Sequence, residues 1–193
     1  MTKPAILVFA GSTRTGSINE KLAVNAAKAI GDAGGDVTHI SLADYPMPIY
    51  NGDLEEAEGV PENGKNLADL FVRHQGIFIA APEYNGGITP LLKNTIDWVS
   101  RPKATDRTPG PYKGRVFAIG GASNGGFGGY RGLLQLRHTL ENALGTLMVP
   151  EMVSVPAANQ AFDDAGKLVA ERPAGLLRTV AERLVDMAGR YAS

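Results

Sequence analysis

The stretch "GSTRTGSIN" (residues 11–19) gathers the groups that hold a phosphate. It carries hydroxyls at Ser12, Thr13, Thr15 and Ser17, glycines at Gly11 and Gly16, and Arg14 for a charge-assisted contact. If a helix begins after it, the free backbone N–H groups of the first turn complete an anion cradle. Capping by Ser17 and turn formation by the glycines explain part of the pattern, but not an arginine among four hydroxyls within six residues. Two common phosphate sites drop out. Gly11 and Gly16 have the spacing of G-x-x-x-x-G-K-[ST], yet Ser17 stands where the lysine must be, which argues against ATP or GTP hydrolysis. The G-x-G-x-x-G turn of a dinucleotide site is also absent, leaving a mononucleotide phosphate.

Two further loops carry chemistry. In "APEYNGGITPLLKNTIDW" (81–98), Pro82 stiffens the chain, Glu83, Tyr84 and Asn85 offer polar and aromatic groups, and Gly86 and Gly87 allow close approach to main chain. This suits a flat heteroaromatic ring. Taken alone, "NGG" reads as an ordinary turn with Tyr84 on the surface; opposite a phosphate cradle, the ring reading is preferred. "GGASNGGFGGYRGLLQLR" (120–137) has six glycines in its first ten residues and is either a lid that presents N–H groups to a ligand or a flexible surface loop.

The elements between these loops place them together. Continuous apolar runs at 5–10, 76–81, 115–121 and, more weakly, 146–155 predict strands buried on both faces, while the alternating 36–42 predicts an edge strand. Helical spacing follows: Ile18, Leu22, Ala26 and Ala29; Leu67, Leu70, Phe71 and His74; Leu91 to Val99; Leu133 to Leu144; and Leu176 to Met187, with Pro173 in the first turn. Strand and helix alternate five times, which predicts an α/β fold with a five-stranded parallel sheet and helices on both faces. Ligands on such sheets bind beyond the carboxyl ends of the strands, so the loops after strands one, three and four share one site.

Composition narrows the chemistry. The chain has 193 residues, 44% of them hydrophobic, which predicts one domain with an adequate core. The net charge of −1 offers no field for nucleic acid or an anionic membrane. With no cysteine, thiol catalysis, disulfides and thiolate metal sites are excluded, so redox chemistry requires a cofactor. His39, His74 and His138 lack metal-ligand spacing and are expected to be structural. The apolar run at the amino end is too short for a signal-peptide core or membrane span, which predicts a cytoplasmic protein.

Together, "GSTRTGSINEKLA", "PEYNGGITPLLKNTIDWVSRP" and "GGYRGLLQLR" resemble the NAD(P)H-dependent FMN reductase family, which includes quinone, chromate and azo-dye reductases, over roughly residues 5 to 150. The resemblance implies a flavodoxin-like fold with strand order 2-1-3-4-5. It implies that Ser12, Arg14, Ser17 and Asn19 hold the FMN phosphate with Ile18 also at the cofactor, that Pro82, Glu83, Tyr84, Asn85 and Gly86 lie along the isoalloxazine, and that Ser123 and Gly125 lie near the ring's other side. It also implies a dimer or tetramer built on the helix with Lys93, Asp97 and Trp98, with Arg101 reaching NAD(P)H, substrate or the neighbouring subunit's site. Gly87 stands where the family commonly has serine, and Thr95 where it has alanine; the proline-rich 101–114 and the last forty residues carry no usable motif.

The activity so implied passes hydride from NADPH or NADH through the N5 of bound FMN to a small-molecule acceptor: a quinone, free flavin, chromate, ferric chelate or azo compound. The cofactor supplies the reactivity, so no catalytic side chain and no metal are expected. The alternatives are a flavodoxin-like electron carrier, usually far more acidic than this chain, and a flavin-free binding domain on the same fold.

Overall fold

β1 (Ala5–Ala10) shows how a continuous apolar run is used. Ile6, Val8 and Ala10 enter one core and Leu7 and Phe9 the other, because successive side chains of a strand point to opposite faces. In this computed structural model, which describes residues 3–102 and 110–191, the same division runs through β3 (Gly76–Ala80) and β6 (Val116–Ala122). β2 (Asp36–Ile40) is the half-exposed edge that its alternation predicts.

Between these strands the chain forms α1 (Ile18–Asp32), α2 (Gly52–Glu58), α3 (Glu62–Arg73), the short hairpin strands β4 (Glu83–Tyr84) and β5 (Gly87–Ile88), and α4 (Pro90–Val99). After β6 come α5 (Tyr130–His138), β7 (Leu147–Met148), β8 (Val153–Val155), α6 (Ala158–Ala161) and α7 (Glu171–Tyr191). The sheet is parallel with order β2-β1-β3-β6-β7, and β8 also pairs with β6. This is the predicted 2-1-3-4-5 order, with its fifth position divided. The run 146–155 splits after Val149, whose N–H makes the last bond to the Phe117 carbonyl; pairing with β6 resumes at Val153.

α1 and α7 cover one face through Leu22, Ala26, Leu177, Val180 and Leu184. α3, α4 and α5 cover the other through Leu67, Phe71, Leu92, Ile96, Leu133 and Leu136. The helix expected over 130–144 is α-helical to His138 and then widens into a π turn over Thr139–Ala143. α2, α6 and the β4–β5 hairpin are too short to leave a periodic signal.

His74, expected on the buried face of α3, lies one residue beyond that helix. Its Nδ1 donates to the Leu70 carbonyl (2.6 Å), and its Nε2 bonds the Thr38 hydroxyl (2.8 Å), joining α3 to β2. Arg115, buried just before β6, donates to the carbonyls of Phe71 and Val72 and so closes the carboxyl end of α3. Burial lowers its pKa.

Candidate functional site

The loop after β1 is held where a helix begins. Gly11 sits so tightly against α4 that an added Cβ would lie 3.1 Å from Leu92, and its N–H donates to the Ala80 carbonyl at the end of β3. Thr89, the N-cap of α4, donates from its hydroxyl to the Gly11 carbonyl (2.9 Å) and accepts the Leu92 N–H (3.3 Å). One buried hydroxyl thus fixes the first loop to the second. Sequence reading missed it, although T-P before an apolar run is a helix-start signal. Thr89→Val is expected to cost about 1–2 kcal/mol, from a lost cap and an orphaned carbonyl, read as a shifted urea midpoint at constant slope.

At the start of α1, Ser17 occupies the N-cap position and is 4% exposed, yet its side chain makes no capping bond. The N–H groups of Ile18, Asn19 and Glu20 find no acceptor among the described residues. Ser12 accepts the Arg14 N–H (3.3 Å), while the exposed Arg14 guanidinium has no hydrogen-bond or ion-pair partner there. Serine usually spends its hydroxyl on the helix N-terminus. Here the hydroxyl, the N–H groups and a cation are all left open.

Asn19 is used differently. Its Nδ2 donates to the Ala122 carbonyl (3.0 Å), and its Oδ1 accepts the Ala122 N–H (2.9 Å), so α1 is stitched to the end of β6. Asn19→Ala is expected to destabilise the fold by about 1–3 kcal/mol, because both Ala122 backbone groups are left buried and unpaired. A melting temperature unchanged in that variant would count against the brace.

The loop after β3 is a two-residue hairpin. Glu83 pairs with Ile88 and Tyr84 with Gly87, and the turn residues Asn85 and Gly86 have φ of 52° and 80°. Both positive values identify the type I′ geometry that Asn-Gly favours, so these two residues are also needed for the turn itself. Tyr84 is 56% exposed. Glu83 accepts the Gly132 N–H (3.1 Å) and pairs with Arg131, whose Nη2 lies 2.6 Å away. Burial pushes the Glu83 carboxyl up, but the Gly132 N–H and the Arg131 guanidinium outweigh it and hold it below the usual glutamate range.

The glycine-rich loop is packed rather than slack. A Cβ at Gly121 would lie 2.9 Å from the Ala81 carbonyl, and one at Gly128 would lie 2.5 Å from the Pro156 nitrogen. The Ser154 hydroxyl donates to the Phe127 carbonyl (2.9 Å). Ser123 accepts the Gly125 N–H (3.1 Å), and the Gly125 carbonyl accepts from Gly128 and Ala157.

One depression of about 140 Å³ gathers Ser12, Arg14, Ser17, Ile18, Asn19, Pro82, Glu83, Tyr84 and Ala122. Asn85 and Gly86 form the adjoining hairpin tip, and Ser123 and Gly125 follow Ala122 without lining the depression. Arg101 lies elsewhere, past α4. Its Nε contacts both Glu55 oxygens (2.8 and 2.9 Å), and its guanidinium lies over the Tyr50 ring. Trp98 is fully buried and donates to the Pro48 carbonyl (2.8 Å), while Lys93 and Asp97 pair on the outer side of α4. In the 101–114 segment, residues 103–109 lie outside the described residues. Among the described residues, no group of acidic and histidine side chains could hold a metal, and no helix is long and apolar enough to cross a membrane.

A parallel sheet of this order, with an open helix N-terminus and an aromatic hairpin at its carboxyl end, defines a flavodoxin-like nucleotide-binding protein. Comparison with known proteins narrows that class. Residues 4–160 match the NADPH-dependent FMN reductases, and the chain belongs to that family. It is 35% identical to an NAD(P)H-dependent FMN reductase of Pseudomonas aeruginosa over 90% of this chain and 89% of the relative. It is 32% identical to a quinone reductase of Escherichia coli over 86% of each. Among solved structures, the flavoenzyme NAD(P)H:(acceptor) oxidoreductase FerB from Paracoccus denitrificans superposes with a TM-score of 0.77 at 27% identity, covering 97% of this chain and 98% of the other. This chain is therefore an FMN-dependent oxidoreductase that uses NAD(P)H.

Proposed function

We propose that the depression and the hairpin beside it are the FMN site, in one flavodoxin-like domain spanning the chain. The observation that carries this reading is Ser17, a buried N-cap serine that caps nothing, at the mouth of a helix whose first N–H groups are open. Those N–H groups, Ser12, Ser17 and the unpaired Arg14 suit a phosphate dianion. Pro82, Glu83, Tyr84, Asn85 and Gly86 flank the ring, and Ser123 and Gly125 approach it from the glycine-rich loop. Asn19 serves by holding that loop to α1.

Bound FMN supplies two-electron transfer between a nicotinamide and a second substrate. The chain supplies placement: the cradle fixes the phosphate end, and the hairpin and glycine-rich loop leave room for NADPH or NADH and then for a small-molecule acceptor. The relatives' names favour a quinone or flavin acceptor. The protein works in the cytoplasm as a dimer or tetramer, with the outer side of α4 at an interface and Arg101 facing the neighbouring subunit's site. The exposure of Arg101, 45% of its side chain, is compatible with that.

Purified protein mixed with FMN should give a bound-flavin spectrum that bleaches on anaerobic addition of NADPH or NADH and recovers with a quinone. A protein that takes up no FMN would sink the reading. One that binds FMN but is reduced only through a partner reductase would be an electron carrier.

A further inference from the structure

The Glu83–Ile88 pair is the base of the β4–β5 hairpin, and Asn85 and Gly86 are its tip. Both base residues are tied to α5. The Ile88 N–H donates to Gln135 Oε1 (3.0 Å), and Glu83 accepts the Gly132 N–H (3.1 Å) together with Nε (3.0 Å) and Nη2 (2.6 Å) of Arg131. Gly132 lets the hairpin lie flush on the helix: a Cβ there would sit 3.1 Å from the Gly87 carbonyl and 3.2 Å from Glu83 Cβ. At Gly87 a Cβ would meet only the end of the Gln135 side chain, Oε1 at 2.7 Å, so Gln135 lies directly against the hairpin.

Arg131 has a second contact. Its guanidinium lies over the Phe127 ring, 5.2 Å from the centroid, so the residue that grips the hairpin also grips the glycine-rich loop. The Glu83 side chain is only 9% exposed, and its oxygens are engaged with α5. A carboxylate so committed is neither a proton donor nor a free ligand group.

We propose that Glu83, Arg131 and Gln135 are positioning residues, a clamp on α5 that sets the place and tilt of the hairpin tip and moves it together with the glycine-rich loop. This rests on the reading that the flavin ring lies along that tip. The clamp then governs hydride transfer by holding the ring, while the phosphate anchor at α1 acts independently. Small displacements of a reacting ring cost rate far more than affinity.

The test uses the full chain loaded with FMN, with Arg131→Met, Glu83→Gln and Gln135→Leu as variants. Each is titrated with FMN and with riboflavin, and kcat and KM for NADPH are measured. Arg131→Met is the safest for folding, because the Arg131 side chain is more than half exposed. The expected result is about a tenfold fall in kcat for Arg131→Met and Glu83→Gln, with KM nearly unchanged and FMN and riboflavin affinities altered by the same factor. The double variant should be no worse than the poorer single one, because both break one ion pair. Three results overturn the clamp: wild-type kcat in all variants, a loss confined to FMN over riboflavin, or fully additive effects in the double variant. If the wild-type protein binds neither flavin, the site reading fails first and takes the clamp with it.

Discussion

Replacing Arg14 with alanine raises the FMN dissociation constant by roughly 10- to 150-fold, the equivalent of about 1.5–3 kcal/mol for a hydrogen bond to a charged group. The guanidinium is exposed and has no partner in the described chain, so its removal leaves the fold intact and the whole effect falls on the ligand. Riboflavin, which lacks the phosphate, separates the two ends of the site. Its affinity should be the same in wild type and variant, and the gap between the proteins for FMN should narrow as salt rises. Unchanged FMN affinity in the variant would remove Arg14 from the phosphate site, whatever the rest of the loop does.

Gly128→Ala should destabilise the protein by about 3–4 kcal/mol, combining an overpacked contact with a left-handed backbone. The new Cβ would lie 2.5 Å from the Pro156 nitrogen and 2.6 Å from both Val155 carbonyl carbon and Ser154 Oγ, at φ of 56°. Two of these neighbours are main chain and cannot swing aside. For a chain of this size the loss corresponds to a melting temperature lower by roughly 10 °C. Gly126→Ala is the internal control, because nothing lies within 4 Å of its Cβ position. Equal melting temperatures for the two variants would mean that the glycine-rich loop is slack after all.

These two residues differ in how far the sequence disclosed them. Arg14 stood out because its neighbours in sequence are also its neighbours in the site: a loop of hydroxyls and glycines between an apolar strand and a helical period. Gly128 stood in an evident glycine cluster, but composition fits a mobile lid and a tightly packed crossing equally well. Asn19 was assigned to the phosphate from the family likeness, and the structure adds its bond to Ala122, 103 residues away. Glu83 was placed beside the ring, and the structure shows its carboxylate held by Gly132, 49 residues on. Trp98, read as part of an interface helix, is buried under Pro48 within its own chain.

Local periodicity carries the identity and order of the elements, because strand and helix repeats are properties of neighbouring residues, and topological rules then bring three loops to one end of the sheet. The sequence by itself therefore determined the doubly covered parallel sheet, the loops that meet at its carboxyl end and the residue types of the proposed phosphate cradle. Only the tertiary structure decided which polar groups remain open for a ligand and which are consumed in holding loops together. That distinction depends on hydrogen-bond partners remote in sequence, and no repeat or spacing encodes them: Ser17 is left uncapped and open, while Asn19, Thr89 and Glu83 are spent on the frame.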